Sequence, residues 1–216
     1  MIKENDFEFL INSNDLDIVV QRMQTDFPFP PRPIMLDQIV RRTLYRVPNS
    51  DDPNKIRWIR IMDGDIEADG QPNCTITYKD KMKNMSEEEK AVLKVDTYDD
   101  AIHLFDLLHY QKASYQENRR SKFICELDQV KYLIKFDIWP KIEEVAFVSV
   151  SSISSSSNDH SITDFIELLG LNELNQCLDQ RVDVDREYKE RIGYPAMSIP
   201  MVTFEFDLQL PSNEKT

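Results

Sequence analysis

Glycine is scarce: among 216 residues there are four, Gly64, Gly70, Gly170 and Gly193. Neither a Gly-x-Gly-x-x-Gly turn nor a P-loop can be built from so scattered a set, so nucleotide binding by those two routes is excluded. Cysteine is nearly as rare. Cys74, Cys125 and Cys177 form an odd set with no Cys-x-x-Cys and no paired histidines, which fits reduced thiols in a cytosol better than a disulfide framework or a zinc site. No apolar run approaches the ~18 residues of a membrane helix. The start, Met1-Ile2-Lys3-Glu4-Asn5-Asp6, lacks a basic stretch followed by an apolar one, so no secretory signal is read there. A cytoplasmic protein with no membrane partner is expected. Net cationic charge is missing too. Lys and Arg number 26 against 39 Asp and Glu, a formal charge of −13, which opposes attraction to a nucleic-acid backbone. An anionic ligand must therefore find a local positive site.

What is present is a 41% hydrophobic chain long enough to bury a full core and expected to form one domain over residues 1–216. Short runs alternate with a period of two, as half-buried antiparallel strands do. Phe7, Phe9 and Ile11 oppose Asp6, Glu8 and Leu10. Ile59 and Ile61 oppose Arg60. Cys74, Ile76 and Tyr78 oppose Thr75, Thr77 and Lys79. Tyr132, Ile134 and Phe136 oppose Leu133, Lys135 and Asp137, and valines alternate with serines over Phe147–Ser151. Helical spacing intervenes at Leu16, Val19, Val20 and Met23, at Ala101, Ile102, Phe105 and Leu108, at Ile162, Phe165, Ile166 and Leu169, and around Val184, Tyr188 and Ile192. Gly170 and Gly193 stop the last two helices. Four helices and seven or eight strands predict an α+β fold in which helices cover the apolar strand faces. Pro28-Phe29-Pro30-Pro31-Arg32-Pro33 reads as extended chain. No internal repeat is present.

The faces left uncovered carry Asp6, Glu8, Arg60, Thr75, Thr77, Lys79, Lys135 and Asp137, with Arg120 and Lys122 from the next run. Cations outnumber carboxylates there, the reverse of the whole chain. A site for a polyanion needs such a collection, because low-dielectric walls focus the field of Lys and Arg. An ordinary solvated sheet face is the other reading of the same alternation.

Taken in order, these segments resemble the CYTH family, the triphosphate tunnel metalloenzymes, which includes class IV adenylate cyclases and thiamine triphosphatases. Arg57-Trp58-Ile59-Arg60 resembles the family's Leu-Arg-x-Arg strand, and Thr75-Ile76-Thr77-Tyr78-Lys79 its Leu-Thr-Tyr-Lys strand. Ser114–Arg120 resembles its Lys-x-Arg approach to the next strand, and Phe136-Asp137-Ile138-Trp139-Pro140 its Ile-Asp-Thr-Trp-Pro signature. Val184–Tyr194 resembles its late Tyr-containing helix. The resemblance implies a closed antiparallel eight-stranded β-barrel, a tunnel with helices packed outside, and a C-terminal helical extension from about residue 172. It implies that Arg60, Lys79, Arg119, Arg120 and Lys135 bind the phosphates of a triphosphate or nucleotide. It also implies that Asp6, Glu8 and Asp137 hold Mg²⁺ or Mn²⁺ through hard oxygen ligands.

Several positions depart from the pattern. Leu10 stands where the family has a lysine, Met62 where it has a second arginine, and Lys94 near an expected carboxylate. Ser149 and Ser151 stand where it has glutamates, and hydroxyls are poorer ligands for a hard cation than carboxylates. Two readings follow: a metal-dependent triphosphatase or cyclase, or a catalytically reduced protein that binds a phosphorylated ligand. A scaffold without a small ligand is a third. His103 and His109 are expected as partly buried helix residues, His160 as a loop residue, Trp139 as a wedge before Pro140 and the serines of 151–157 as a turn. Asp183, Asp185 and Glu187 are expected as a solvated helix start.

Overall fold

The computed structural model describes residues 7–47, 55–82, 88–153, 159–177 and 182–210. Nine strands run β1 (Phe7–Asn12), β2 (Arg32–Arg46), β3 (Lys55–Ile66), β4 (Pro72–Met82), β5 (Glu88–Lys94), β6 (Lys112–Leu127), β7 (Val130–Ile138), β8 (Val145–Ser152) and β9 (Met201–Val202). Five helices intervene, α1 (Leu16–Thr25), α2 (Tyr98–Leu107), α3 (Asp159–Leu168), α4 (Leu171–Leu174) and α5 (Val184–Ile192). The expected α+β class is therefore observed. The strands pair in the order β1-β8-β7-β6-β2-β3-β4-β5, with β9 joining β6 in parallel. A barrel closes only when its two end strands pair. Among the described residues no pairing joins β1 to β5, so hydrogen bonds do not close the sheet and the expected eight-stranded barrel is not confirmed. The segment after residue 172 contains α5 and, beyond it, β9.

The chain packs as two compact units. The first comprises Met1–Gln38, Ile66–Gly70 and Arg119–Asp183. Here Phe9 and Ile11 of β1, Ala146, Val148 and Val150 of β8, Tyr132, Ile134 and Phe136 of β7, and Phe123 and Cys125 of β6 form one apolar face. Val19 and Met23 of α1 and Ile162, Phe165 and Ile166 of α3 cover it. The Phe165 ring stacks on Tyr132 at 4.0 Å and meets Phe27 edge-on at 5.1 Å. The tight connection between β6 and β7 places both Asp128 (φ 51°) and Gln129 (φ 67°) in the left-handed region, the signature of a type I′ hairpin turn. That turn fixes the register on which the polar face depends.

The second unit comprises Ile39–Asp65, Gln71–Asn118 and Val184–Thr216. Its core joins Tyr45, Ile59, Ile61 and Cys74 to Tyr98, Ala101 and Phe105 of α2. Thr97 caps α2 by accepting from the Asp100 amide. The Tyr98 hydroxyl and Thr43 Oγ1 lie 2.6 Å apart, and the Arg41 guanidinium stands 4.3 Å above the Tyr98 ring while binding Asp63 at 2.9 Å. These contacts hold α2 on its sheet face. Glu187 is not part of a solvated helix start: it is 3% exposed and lies between Arg186 at 3.0 Å and Arg191 at 3.3 Å. Asp185 accepts from the Met197 amide at 2.8 Å. His103 and His109 are exposed, not partly buried, and His109 follows α2 in a left-handed conformation. His160 lies in α3, so the loop expected there is a helix. Trp139 is buried, as a wedge requires.

Cysteine chemistry follows from packing. Burial pushes the Cys125 thiol up to about 12 and raises that of Cys74, because a thiolate is poorly solvated in an apolar interior. Cys177 is only half-buried. At mildly alkaline pH a thiol-specific chromogenic reagent should titrate one cysteine rapidly in the native protein and all three after denaturation. Rapid native reaction of a Cys177→Ser variant would contradict this.

Candidate functional site

Strand alternation assigns the polar faces. In the first unit, the face opposite Phe9, Val148, Ile134 and Phe123 presents Glu8, Ser149, Lys135 and Lys122. The register sets these four in one transverse row: Glu8 opposite Ser149, Ser149 opposite Lys135, and Lys135 opposite Lys122. Glu8 is exposed, Ser149 and Lys135 are half-buried, and Lys122 is 4% exposed with its Nζ donating to the Ile66 carbonyl at 2.7 Å. The backbones of Lys135 and Lys122 lie one strand spacing apart, so an anion between their side chains would offset like charge.

One step along the same face, Arg120 lies opposite Asp137. The two form a fork, with Nε donating to Oδ1 at 2.6 Å and Nη2 to Oδ2 at 2.7 Å. Both oxygens of a carboxylate expected on metal thus accept from arginine. Arg119 is on the opposite face, as the neighbour of Arg120 in a strand must be, and lies 3.6 Å from both Asp37 and Glu143. The register does not bring Arg119 to the face that Arg120 and Lys135 share.

In the second unit, the face opposite Ile59, Ile61 and Cys74 presents Arg42, Trp58, Arg60, Thr75, Thr77 and Lys79. Arg60 Cζ and Lys79 Nζ each lie 5.3 Å from the centre of the Trp58 ring, so one indole holds two of the expected phosphate ligands together. Such contacts contribute about 0.5–1 kcal/mol each where partly exposed. Lys94 lies opposite Thr75, and Lys90 opposite Lys79. Arg42 donates to Asn118. Thr75 (4%), Thr77 (2%), Gln116 (4%), Asn118 (0%) and Arg42 (7%) are all buried. An ordinary solvated sheet face would expose them. These residues instead line a sequestered polar environment, where charges interact more strongly than in water.

Trp58 and Arg42 were not singled out as site residues by sequence. Trp58 sits in a recognisable alternating run, and its spacing two residues before Arg60 was the available signal. Arg42 lies in Val40-Arg41-Arg42-Thr43-Leu44-Tyr45, a stretch of β2 covered on both faces, where alternation is lost.

The metal expectation rests on Asp6, Glu8 and Asp137. Asp6 lies outside the described residues. Glu8 and Asp137 are separated by two strand spacings and by a two-residue offset, roughly 12 Å between backbones. Among the described residues no group of three or more His, Cys, Asp or Glu is placed to hold a metal ion. The helical side of the first unit does carry an open depression of about 540 Å³, where Asp26, Asp164, Glu167 and Glu173 surround Arg22. Its charge has the wrong sign for a phosphate chain.

No protein-family model matches the chain, and no curated protein matches it. Among solved structures, a Vibrio parahaemolyticus protein named as a putative adenylate cyclase aligns with a TM-score of 0.52 at 13% identity, over 87% of this chain and 97% of that one. The fold is CYTH-like. A Bacillus halodurans protein, also named as a putative adenylate cyclase, aligns at 0.49 and 11% identity over 85% and 96% of the two chains. A Hippeastrum protein, named as a putative adenylyl cyclase with a dominant triphosphatase activity, aligns at 0.46 and 8% identity over 78% and 88%. At such identities the likeness speaks for fold alone, and function must come from the side chains of this CYTH-like chain.

Proposed function

We propose that the chain binds a triphosphate or nucleotide, with Arg60 and Lys79 of the second unit on the phosphate oxygens. The observation that carries this reading is the Trp58 ring shared by those two cations, all three half-buried, on a strand face where Thr75, Thr77 and Arg42 are buried. The fold shared with a protein named as a putative adenylate cyclase supports the ligand class. Lysine and arginine are suited to it, the one as a compact charge and the other as a fork for two oxygens. The reading is one of binding, because Asp137 is engaged by Arg120 and no described carboxylate cluster offers a metal-held nucleophile. No catalytic residue is assigned.

Trp58 also supplies the assay. Tripolyphosphate should displace Arg60 and Lys79 from the ring and change indole emission, saturating with the calorimetric affinity. The change should vanish in Trp58→Phe while Trp139 emission stays constant. Absence of binding of both tripolyphosphate and ATP would overturn the reading. Release of phosphate or a cyclic nucleotide from ATP, abolished by Glu8→Gln, would replace it with an enzymatic one.

A further inference from the structure

The geometry points to a second phosphate-recognition row, in the first unit, that takes the anion without a divalent metal ion. It rests on the reading that this chain binds a phosphate chain. Glu8, Ser149, Lys135 and Lys122 lie side by side on β1, β8, β7 and β6. This row offers one carboxylate and one hydroxyl to a cation but places two ammoniums beside them. A hard divalent ion seeks six or more oxygens, preferably anionic ones, and would meet like charge from Lys135 on the strand next to Ser149.

For a phosphate group the same row is well matched. Lys135 supplies a charged donor and Ser149 a neutral one from the adjacent strand, both half-buried. Lys122 stands on the other side, its ammonium anchored on the Ile66 carbonyl and its surroundings almost closed to water. The fork between Arg120 and Asp137, one step along the face, leaves the carboxylate neutralised, so Asp137 does not repel an incoming phosphate. Glu8, at the exposed end of the row, is separated from Lys135 by the serine. The ligand is therefore the free polyphosphate anion, and Mg²⁺ competes with the protein for it rather than bridging the two.

Calorimetric titration of the full chain with tripolyphosphate, in EDTA and again with excess Mg²⁺, tests this directly. Affinity in EDTA should equal or exceed that in Mg²⁺. Lys135→Met should lose about tenfold in EDTA, Lys135→Arg should recover most of it, and Ser149→Ala should lose about threefold. Unchanged melting temperatures separate these effects from unfolding. Binding that appears only with Mg²⁺, or that is indifferent to Lys135→Met, overturns the metal-free row and leaves the Arg60 and Lys79 reading standing. No binding in either buffer overturns both.

Discussion

Replacing Arg60 and Lys79 together by alanine should weaken tripolyphosphate binding at least a hundredfold, with the melting temperature shifted by only a few degrees. Charge-assisted hydrogen bonds contribute about 1.5–3 kcal/mol each, so two lost together correspond to roughly 3–6 kcal/mol of binding. Each single variant should lose about tenfold. The double loss should exceed the product of the single losses, since both cations share one indole and, when one is removed, the other can still hold a phosphate. Calorimetry on the two single variants and the double variant measures that coupling. Near-wild-type affinity in the double variant would remove these residues from the site.

Arg120→Met should destabilise the protein by about 2–4 kcal/mol. Breaking a buried ion pair by removing one partner costs roughly 3–5 kcal/mol, discounted here because the Arg120 and Asp137 side chains retain 11% and 18% exposure. The loss comes from Asp137, left on a polar but secluded strand face without its fork. The double variant Arg120→Met with Asp137→Leu should regain most of the stability, because removing both charges also removes their desolvation cost. Urea denaturation of the three variants gives the coupling. If Asp137 served chiefly as a metal ligand, Arg120→Met would leave stability nearly intact and enhance divalent-ion binding.

Much of the fold was legible because helices and strands here keep separate periods. Val19 and Met23, Ala101 and Phe105, and Phe165 and Leu169 carried three helices. Gly170 (φ 65°) and Gly193 (φ 95°) marked stops through the conformation that favours glycine. The strand faces of β1, β3, β4, β7 and β8 were correctly split into core and polar sides, since each has one side under a helix or apolar cluster. Less of the site could be read. Alternation tells which face a side chain takes but not which partner it meets, so the closure of Arg120 onto Asp137 was invisible until register was known. Arg119 illustrates the same limit differently. A motif placed it beside Arg120, whereas a period of two sends adjacent residues to opposite faces. Glu187 reads as solvated because its helix is polar throughout, yet its two arginine partners, Arg186 and Arg191, offset the burial of its carboxylate.

A crystal structure of the chain grown with tripolyphosphate is the most direct test of the central claim. Phosphate density should lie against Arg60 and Lys79 beside the Trp58 ring, with both cations turned from the indole toward oxygen. A chain found only on the outward helical surfaces, with Arg60 and Lys79 still seated on Trp58, would contradict it.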